Sequence, residues 1–166
     1  MNETILTQDG SKLTIERLIN APKDKVWEAY SLADVFVKWY STDGWTTRVK
    51  HFDFTAGGYT LFAMKCEDES QEMFGQESWN KSEYSVITPK DTFSYKDSFC
   101  DEDGNPMEGM PGTDVTVTLE AVGDATKITS VSTFASEESL AQALAMGMEE
   151  GIKQTFNKLA SVVEQN

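Results

Sequence analysis

Between residues 137 and 164 the apolar side chains fall on one helical face. Leu140, Leu144, Met148, Ile152, Phe156, Leu159 and Val163 recur every three to four positions. Ser136 is placed to cap this helix, and Glu137 and Glu138 sit in the first turn, where the helix dipole favours acidic groups. At 1.5 Å per residue, such a helix is roughly 40 Å long. A stripe of that length needs a broad apolar surface to lie on, and a curved β-sheet supplies one.

The rest of the chain provides the strands. Leu13 to Ile19 alternates loosely and reads as a strand, while residues 1–11 read as a tail or a first edge strand. Asn20, Ala21 and Pro22 open a short helix whose Val26, Trp27 and Tyr30 share a face, with Asn20 as a candidate cap. Leu32 to Trp39 forms a second, with Phe36 and Trp39 inward. A loop over 40–46 precedes Val49 to Phe54 and a tight turn at Gly57 and Gly58. Tyr59 to Cys66 is rich in strand formers, and Glu67 to Ser70 reads as a solvated hairpin tip. Phe74 to Ile87 is extended, with a bulge expected near Trp79 and Asn80. Thr92 to Phe99 alternates Phe93, Tyr95, Asp97 and Phe99 against polar neighbours. After a loop over 101–112, Val115, Val117 and Leu119 alternate with polar residues, as a half-buried strand does. Gly123 and Asp124 turn the chain into Thr126 to Phe134. No βαβ crossover is visible, so the fold class is α+β with an antiparallel sheet.

The chain has 166 residues, enough for one domain with its own core. Its formal net charge of -14 repels nucleic-acid phosphates and anionic lipid heads, so neither nucleic acid nor membrane is expected as a partner. No run approaches the length of a membrane helix, and the polar first ten residues lack a signal sequence. Both point to the cytoplasm, where Cys66 and Cys100 stay reduced.

Few residues carry recognisable chemistry. His51 is the only histidine, and the strand pattern around it reads as an ordinary strand position rather than an acid/base centre. Cys66, Cys100 and His51 have no metal-ligand spacing. Asp97, Asp101, Asp103 and Asn105 offer oxygens but lack the calcium-loop order and its flanking helices, so a polar hairpin turn is the reading. Gly57 and Gly58 belong to no phosphate loop. Met107, Met110 and Pro111 form an adaptable apolar loop, suited first to local packing and otherwise to gating a cavity or binding a partner. No catalytic residue, metal or cofactor is assigned.

Several stretches in order resemble the bacterial relatives of the activator of Hsp90 ATPase, within the START-like (Bet v 1-like, SRPBCC) superfamily. They are Ala21-Pro22 with Val26-Trp27, Trp39-Tyr40, Gly57-Gly58, Trp79-Asn80-Lys81, Tyr84, Val86-Ile87, Pro89, Asp97-Ser98-Phe99, Asp101 to Asn105, and Gly147 to Gly151 with Leu159. The resemblance implies a helix-grip fold: a curved six- or seven-stranded antiparallel sheet around the long C-terminal helix, with two short helices after the first strand. It implies one START-like domain over 1–166, with a core from 12 to 164. The Hsp90 connection belongs to eukaryotic proteins with an additional Hsp90-binding domain, for which this chain has no room. Ile152 stands where many relatives have Trp, and Ala125-Thr126 where they have Gly-Thr, which implies a cavity of its own shape.

In that fold the space between sheet and helix often holds an apolar ligand. Trp39, Phe62, Met64, Trp79, Tyr84, Tyr95, Phe99, Val117, Phe134, Leu144, Met148 and Ile152 are the cavity-lining candidates, with Arg48 and His51 as polar candidates. The implied function is noncatalytic binding of a small apolar or amphipathic molecule. The alternatives are a protein-interaction or chaperone-associated stress-response accessory domain, and a cyclase- or hydrolase-type enzyme using the same cavity, with Arg48, Asp53 and Glu77 as its ionisable groups. The expected partners are a small apolar ligand or a protein, and the expected state is monomer or homodimer.

Overall fold

The structure, a computed structural model, describes residues 2–164. Strands β1 (Ile5–Asp9) and β2 (Lys12–Ile19) are followed by helices α1 (Lys23–Ser31) and α2 (Ala33–Trp39). Six strands then run in succession: β3 (Trp45–Phe52), β4 (Tyr59–Cys66), β5 (Glu77–Thr88), β6 (Thr92–Cys100), β7 (Thr113–Val122) and β8 (Ala125–Thr133). The chain closes with α3 (Glu137–Ala145) and α4 (Met148–Glu164). All eight strands form one antiparallel sheet in the order β1-β2-β8-β7-β6-β5-β4-β3. This is the expected α+β helix-grip arrangement, with local differences.

The sheet has eight strands rather than six or seven, because residues 5–9 pair fully with β2. The two short helices therefore follow the second strand. The C-terminal helix is broken: Gly147 adopts φ +92°, a left-handed conformation that ends α3, and its N–H bonds the Leu144 carbonyl. The apolar period runs through the break, which is why the sequence pattern reads as one helix. Ser136 caps α3, its Oγ accepting from Ser139 N–H at 3.0 Å. Asn20 does not cap α1: Pro22 holds that position, and Asn20 N–H instead donates to Glu164 at 3.0 Å. The bulge in β5 falls between Tyr84 and Val86 rather than near Trp79. There the Tyr84 backbone bonds both Gly57 and Gly58. A Cβ at Gly58 would lie 2.6 Å from the Asp53 carbonyl oxygen, so that close approach requires glycine.

Helices α1 and α2 plug one end of the curved sheet with aromatic rings. Trp27 packs edge-on against Phe54 and Phe93, at 5.5 and 5.7 Å between centroids, and Phe36 packs edge-on against Phe62 at 5.4 Å. Helix α4 is anchored to β2 by Arg17, whose Nη1 donates to Asn157 Oδ1 at 2.8 Å and to Thr4 Oγ1 at 3.0 Å. Burial along the inner face of β6 falls from this plug outward, from Phe93 at 2% exposed to Phe99 at 45%. The grip is thus closed at the α1–α2 end and open at the other.

Candidate functional site

Register fixes which side chains face the helix. Residues directly opposite on neighbouring antiparallel strands share a face. Phe62 of β4 pairs with Val49 and Asn80, Asn80 pairs with Phe99, and Phe62 contacts Phe36 and Tyr40 of the plug. Val49, Phe62, Asn80 and Phe99 therefore face inward, and so do Thr60, Ser82 and Asp97 in the next inward row. Tyr84 and Tyr95 form the row after that.

Behind these rows lies a void of about 20 Å³, the size of a single water molecule. It is lined by Tyr30, Phe36, Tyr40, Phe54, Ser82, Tyr84, Phe93 and Tyr95. Seven of its eight lining residues are aromatic, so its wall is a set of ring faces and edges with few polar atoms.

The polar atoms around it are unevenly partnered. Tyr84 Oη and Thr60 Oγ1 lie 2.7 Å apart and share a hydrogen bond. Burial holds the Tyr84 phenol up at about 12, and it raises Tyr30, Tyr40 and Tyr95 further, so all four stay protonated. Asp97 stands across the ladder from Ser82 and two residues along its strand from Tyr95. Its carboxyl is raised to about 6 by burial, against a smaller opposing effect of a hydrogen bond from Asn80. Asp97 Oδ1 and Asn80 Oδ1 are both sealed from solvent and receive no hydrogen bond from any described residue. Two buried acceptors without a donor are costly, and a carboxyl raised this far by burial is one mark of a functional site.

The expected cavity residues are distributed unevenly over this frame. Tyr84 and Tyr95 line the void. Trp39, Phe62 and Val117 are packed in the core, Trp39 with its indole N–H bonded to the Ala29 carbonyl at 2.9 Å. Met64, Phe134, Leu144, Met148 and Ile152 are half-buried and pack along the core, while Phe99 is exposed toward the open end. Trp79, Arg48 and His51 lie on the convex face, away from this space. Arg48 pairs with Ala63 and Ala63 with Trp79 in the outward row. Its guanidinium sits 4.9 Å over the Trp79 ring and bonds Glu77 at 2.8 Å.

His51 is turned outward by a bulge. Val49 pairs with Phe62, so unbroken register would set His51 against inward-facing Thr60; the shift after Val49 sets it against Leu61 instead. There it stacks on Tyr59 at 4.2 Å. Asp53 is not among the residues lining the void, and Glu77 is the convex partner of Arg48. Tyr40, which lines the void, and Asp97 and Asn80, which face inward on β6 and β5 without lining it, were not among the expected cavity residues. The signal for Asp97 was legible: a carboxylate in the inward register of Phe93, Tyr95 and Phe99.

The acidic loop is a turn. The Asp101 carboxylate accepts from the backbone N–H of Asp103 and Asn105, both at 2.9 Å, and from the Asn105 amide at 3.1 Å. Among the described residues no group of three His, Cys, Asp or Glu is placed to hold a metal ion. Cys66 and Cys100 are buried free thiols. No helix of the described residues is long and apolar enough to cross a membrane.

Comparison with known proteins agrees with this architecture. The chain superposes on the crystal structure of protein Ms6760 from Mycobacterium smegmatis with a TM-score of 0.86 and 26% identity, over 99% of this chain and 98% of that one. A solution structure from Staphylococcus epidermidis is 29% identical with a TM-score of 0.84, over 96% and 93%. Another from Arthrobacter aurescens is 26% identical with a TM-score of 0.87, over 98% and 92%. No curated protein matches the sequence. Domains of this fold are typically of the ligand-binding or accessory kind. Residues 20–164 match the family model described as activator of Hsp90 ATPase homolog 1-like protein, and the chain belongs to that family, within the START-like (Bet v 1-like, SRPBCC) superfamily.

Proposed function

We propose that the protein binds a small amphipathic molecule, without catalysis, between the inner face of the sheet and the C-terminal helices α3 and α4. The observation that carries this reading is the aromatic void at the α1–α2 end of the sheet, with half-buried apolar side chains running from the core toward the open end. The void is too small for a whole ligand, so it would take only the polar tip. The body would lie toward the open end, among Met64, Phe99, Phe134, Leu144, Met148 and Ile152. These half-buried or exposed apolar side chains include two methionines, which reshape readily around a guest. Burying about 200 Å² of apolar ligand surface contributes roughly 5 kcal/mol before association costs. The net charge of -14 and the reduced thiols fit a cytoplasmic protein that works away from anionic lipid and nucleic acid.

Native mass spectrometry of the purified full chain, set against the same sample under denaturing conditions, tests the reading. A discrete excess mass that is lost on denaturation is the expected result and gives the ligand's mass. A bare polypeptide mass, together with no uptake of small amphipathic probes, would overturn the reading and return attention to a protein partner.

A further inference from the structure

We infer that the protein carries a second binding site, a polar cleft on the outer side of α4 that takes a small molecule through a carboxylate group. The cleft has a volume of about 430 Å³, within the usual range of small-molecule sites. It is lined by Lys38 of α2, by Asp43 of the loop that follows, and by Gln154, Asn157, Lys158 and Ser161 of α4. The four α4 residues follow the i, i+3, i+4 and i+7 spacing of one helical stripe. That stripe lies opposite the buried Phe156, Leu159 and Val163, so the cleft is separate from the space between helix and sheet.

The cleft offers hydrogen-bond donors, because the chain's own bonds engage its acceptors. Asn157 Oδ1 accepts from Arg17 Nη1 at 2.8 Å, and Gln154 Oε1 accepts from the Asp43 backbone N–H at 3.0 Å. Each amide is thereby oriented, and each keeps an NH₂ group with no partner among the described residues. Lys158 Nζ donates to the Thr42 carbonyl at 2.8 Å and to Ser41 Oγ at 3.1 Å, which holds the ammonium in place and leaves one N–H over. Lys38 is exposed and forms no ion pair among the described residues. Two amide NH₂ groups and two ammoniums on one cleft match the oxygens of an anion.

Charge narrows the anion to a carboxylate. Among the lining residues, Lys38 and Lys158 set against Asp43 leave one positive charge in excess. A carboxylate neutralises that excess. A phosphate monoester carries about -1.5 to -2 at neutral pH, so it overfills the cleft and meets more repulsion from a chain whose formal net charge is -14. Burial lowers the Lys158 pKa against the raising influence of Asp43, so an incoming anion also stabilises the charged lysine.

The test is an NMR amide-shift titration of the full chain at neutral pH and low salt, with glucuronate, glucose 6-phosphate and glucosamine as probes of one sugar and three charges. The expected result is saturable binding of glucuronate, with shifts centred on residues 38–43 and 154–162. Glucose 6-phosphate should bind at least about threefold more weakly, and glucosamine should not bind there. Lys38→Gln alters a side chain that no described residue holds, and should weaken glucuronate at least about threefold. Asp43→Asn removes the opposing charge, and should tighten glucose 6-phosphate at least about threefold. Dispersed spectra check that both variants keep the fold. No glucuronate shifts at these residues, or glucosamine binding there as tightly, would overturn the inference. So would phosphate binding as tightly as carboxylate in the unmodified protein, or an unchanged glucuronate affinity in Lys38→Gln. Each of these outcomes leaves the binding function proposed above standing, because a sugar acid has little apolar surface to bury between sheet and helix.

Discussion

Asn80 and Asp97 face the same interior from neighbouring strands, set diagonally across the β5–β6 ladder, and each keeps one oxygen that no described residue reaches. Asn80 donates toward the Asp97 carboxylate, yet burial dominates and the carboxyl rises from 3.8 to about 6. The native state therefore holds this proton more tightly than the unfolded chain does. The group costs no stability below about pH 4. Stability falls as pH rises from about 4 to about 6 and stays lower above that. The full shift corresponds to up to about 3 kcal/mol, less to the extent that water reaches the half-buried side chain. Asp97→Asn removes the titration and adds an amide donor within range of Asn80. It should raise stability by about 1–3 kcal/mol at pH 8 and by almost nothing at pH 3. Urea denaturation of both proteins at the two pH values measures this, and equal differences at both would show that Asp97 is not the group concerned.

Arg17 is 3% exposed, and burial lowers its pKa against the raising influence of Glu164. Its Nε has no partner among the described residues, so its bonds to Asn157 and Thr4 carry the polar link from β2 to α4. Asn157→Ala should cost about 1–3 kcal/mol, because it strips an acceptor from a buried cation. Arg17→Met should cost less, since it removes the charge and keeps the bulk. Chemical denaturation of the two variants gives the order, and the reverse order would count against this link.

Gly147 decides between a broken and a continuous C-terminal helix. In a continuous helix, Gly147→Ala would stabilise by about 1 kcal/mol. At φ +92°, with open space where a Cβ would stand, the same change should instead destabilise by about 1–2 kcal/mol, through backbone strain alone. The sign of the shift in thermal midpoint answers the question.

Tyr84→Phe leaves Thr60 Oγ1 buried without its 2.7 Å partner, and Thr60 is fully buried. A loss of about 1–2 kcal/mol is expected. Tyr84→Phe combined with Thr60→Val removes both hydroxyls and should recover part of that loss. A double variant less stable than the sum of the single ones would contradict the pairing.

Arg48→Ala and His51→Ala act on the convex face, where Arg48 is 63% exposed in its side chain and His51 lies outward on Tyr59. Both should leave binding of any groove ligand unchanged and shift stability by no more than about 0.5 kcal/mol. An isothermal titration with whatever ligand the mass measurement identifies is the check, and a large loss of affinity in either variant would place the site on the wrong face.

The sequence reads the elements well because their signals are local. The 3.6-residue period of Leu140 to Val163, the period-2 alternation of Val115 to Leu119 and the cap at Ser136 each need only a few neighbouring residues to be seen. It also carries the family, through short motifs spread from Ala21 to Leu159. The site is legible only in part. Tyr84 and Tyr95 face the interior as the strand pattern implies, but Arg48, His51 and Trp79 do not.

What the sequence determined by itself is the α+β class, the order of strands and helices, and the apolar faces that must meet, because periodicity and turn chemistry are written within a few residues. What only the tertiary structure decided is which strand face looks at the helix. One bulge between Val49 and His51 turns a histidine from inside to outside. Pairing between β5 and β6 brings Asn80 to Asp97 across the intervening hairpin, and α1 and α2 cap the space so tightly that about 20 Å³ remains. Register, bulges and closure depend on contacts distant in sequence, and the aromatic void exists only once those contacts have formed.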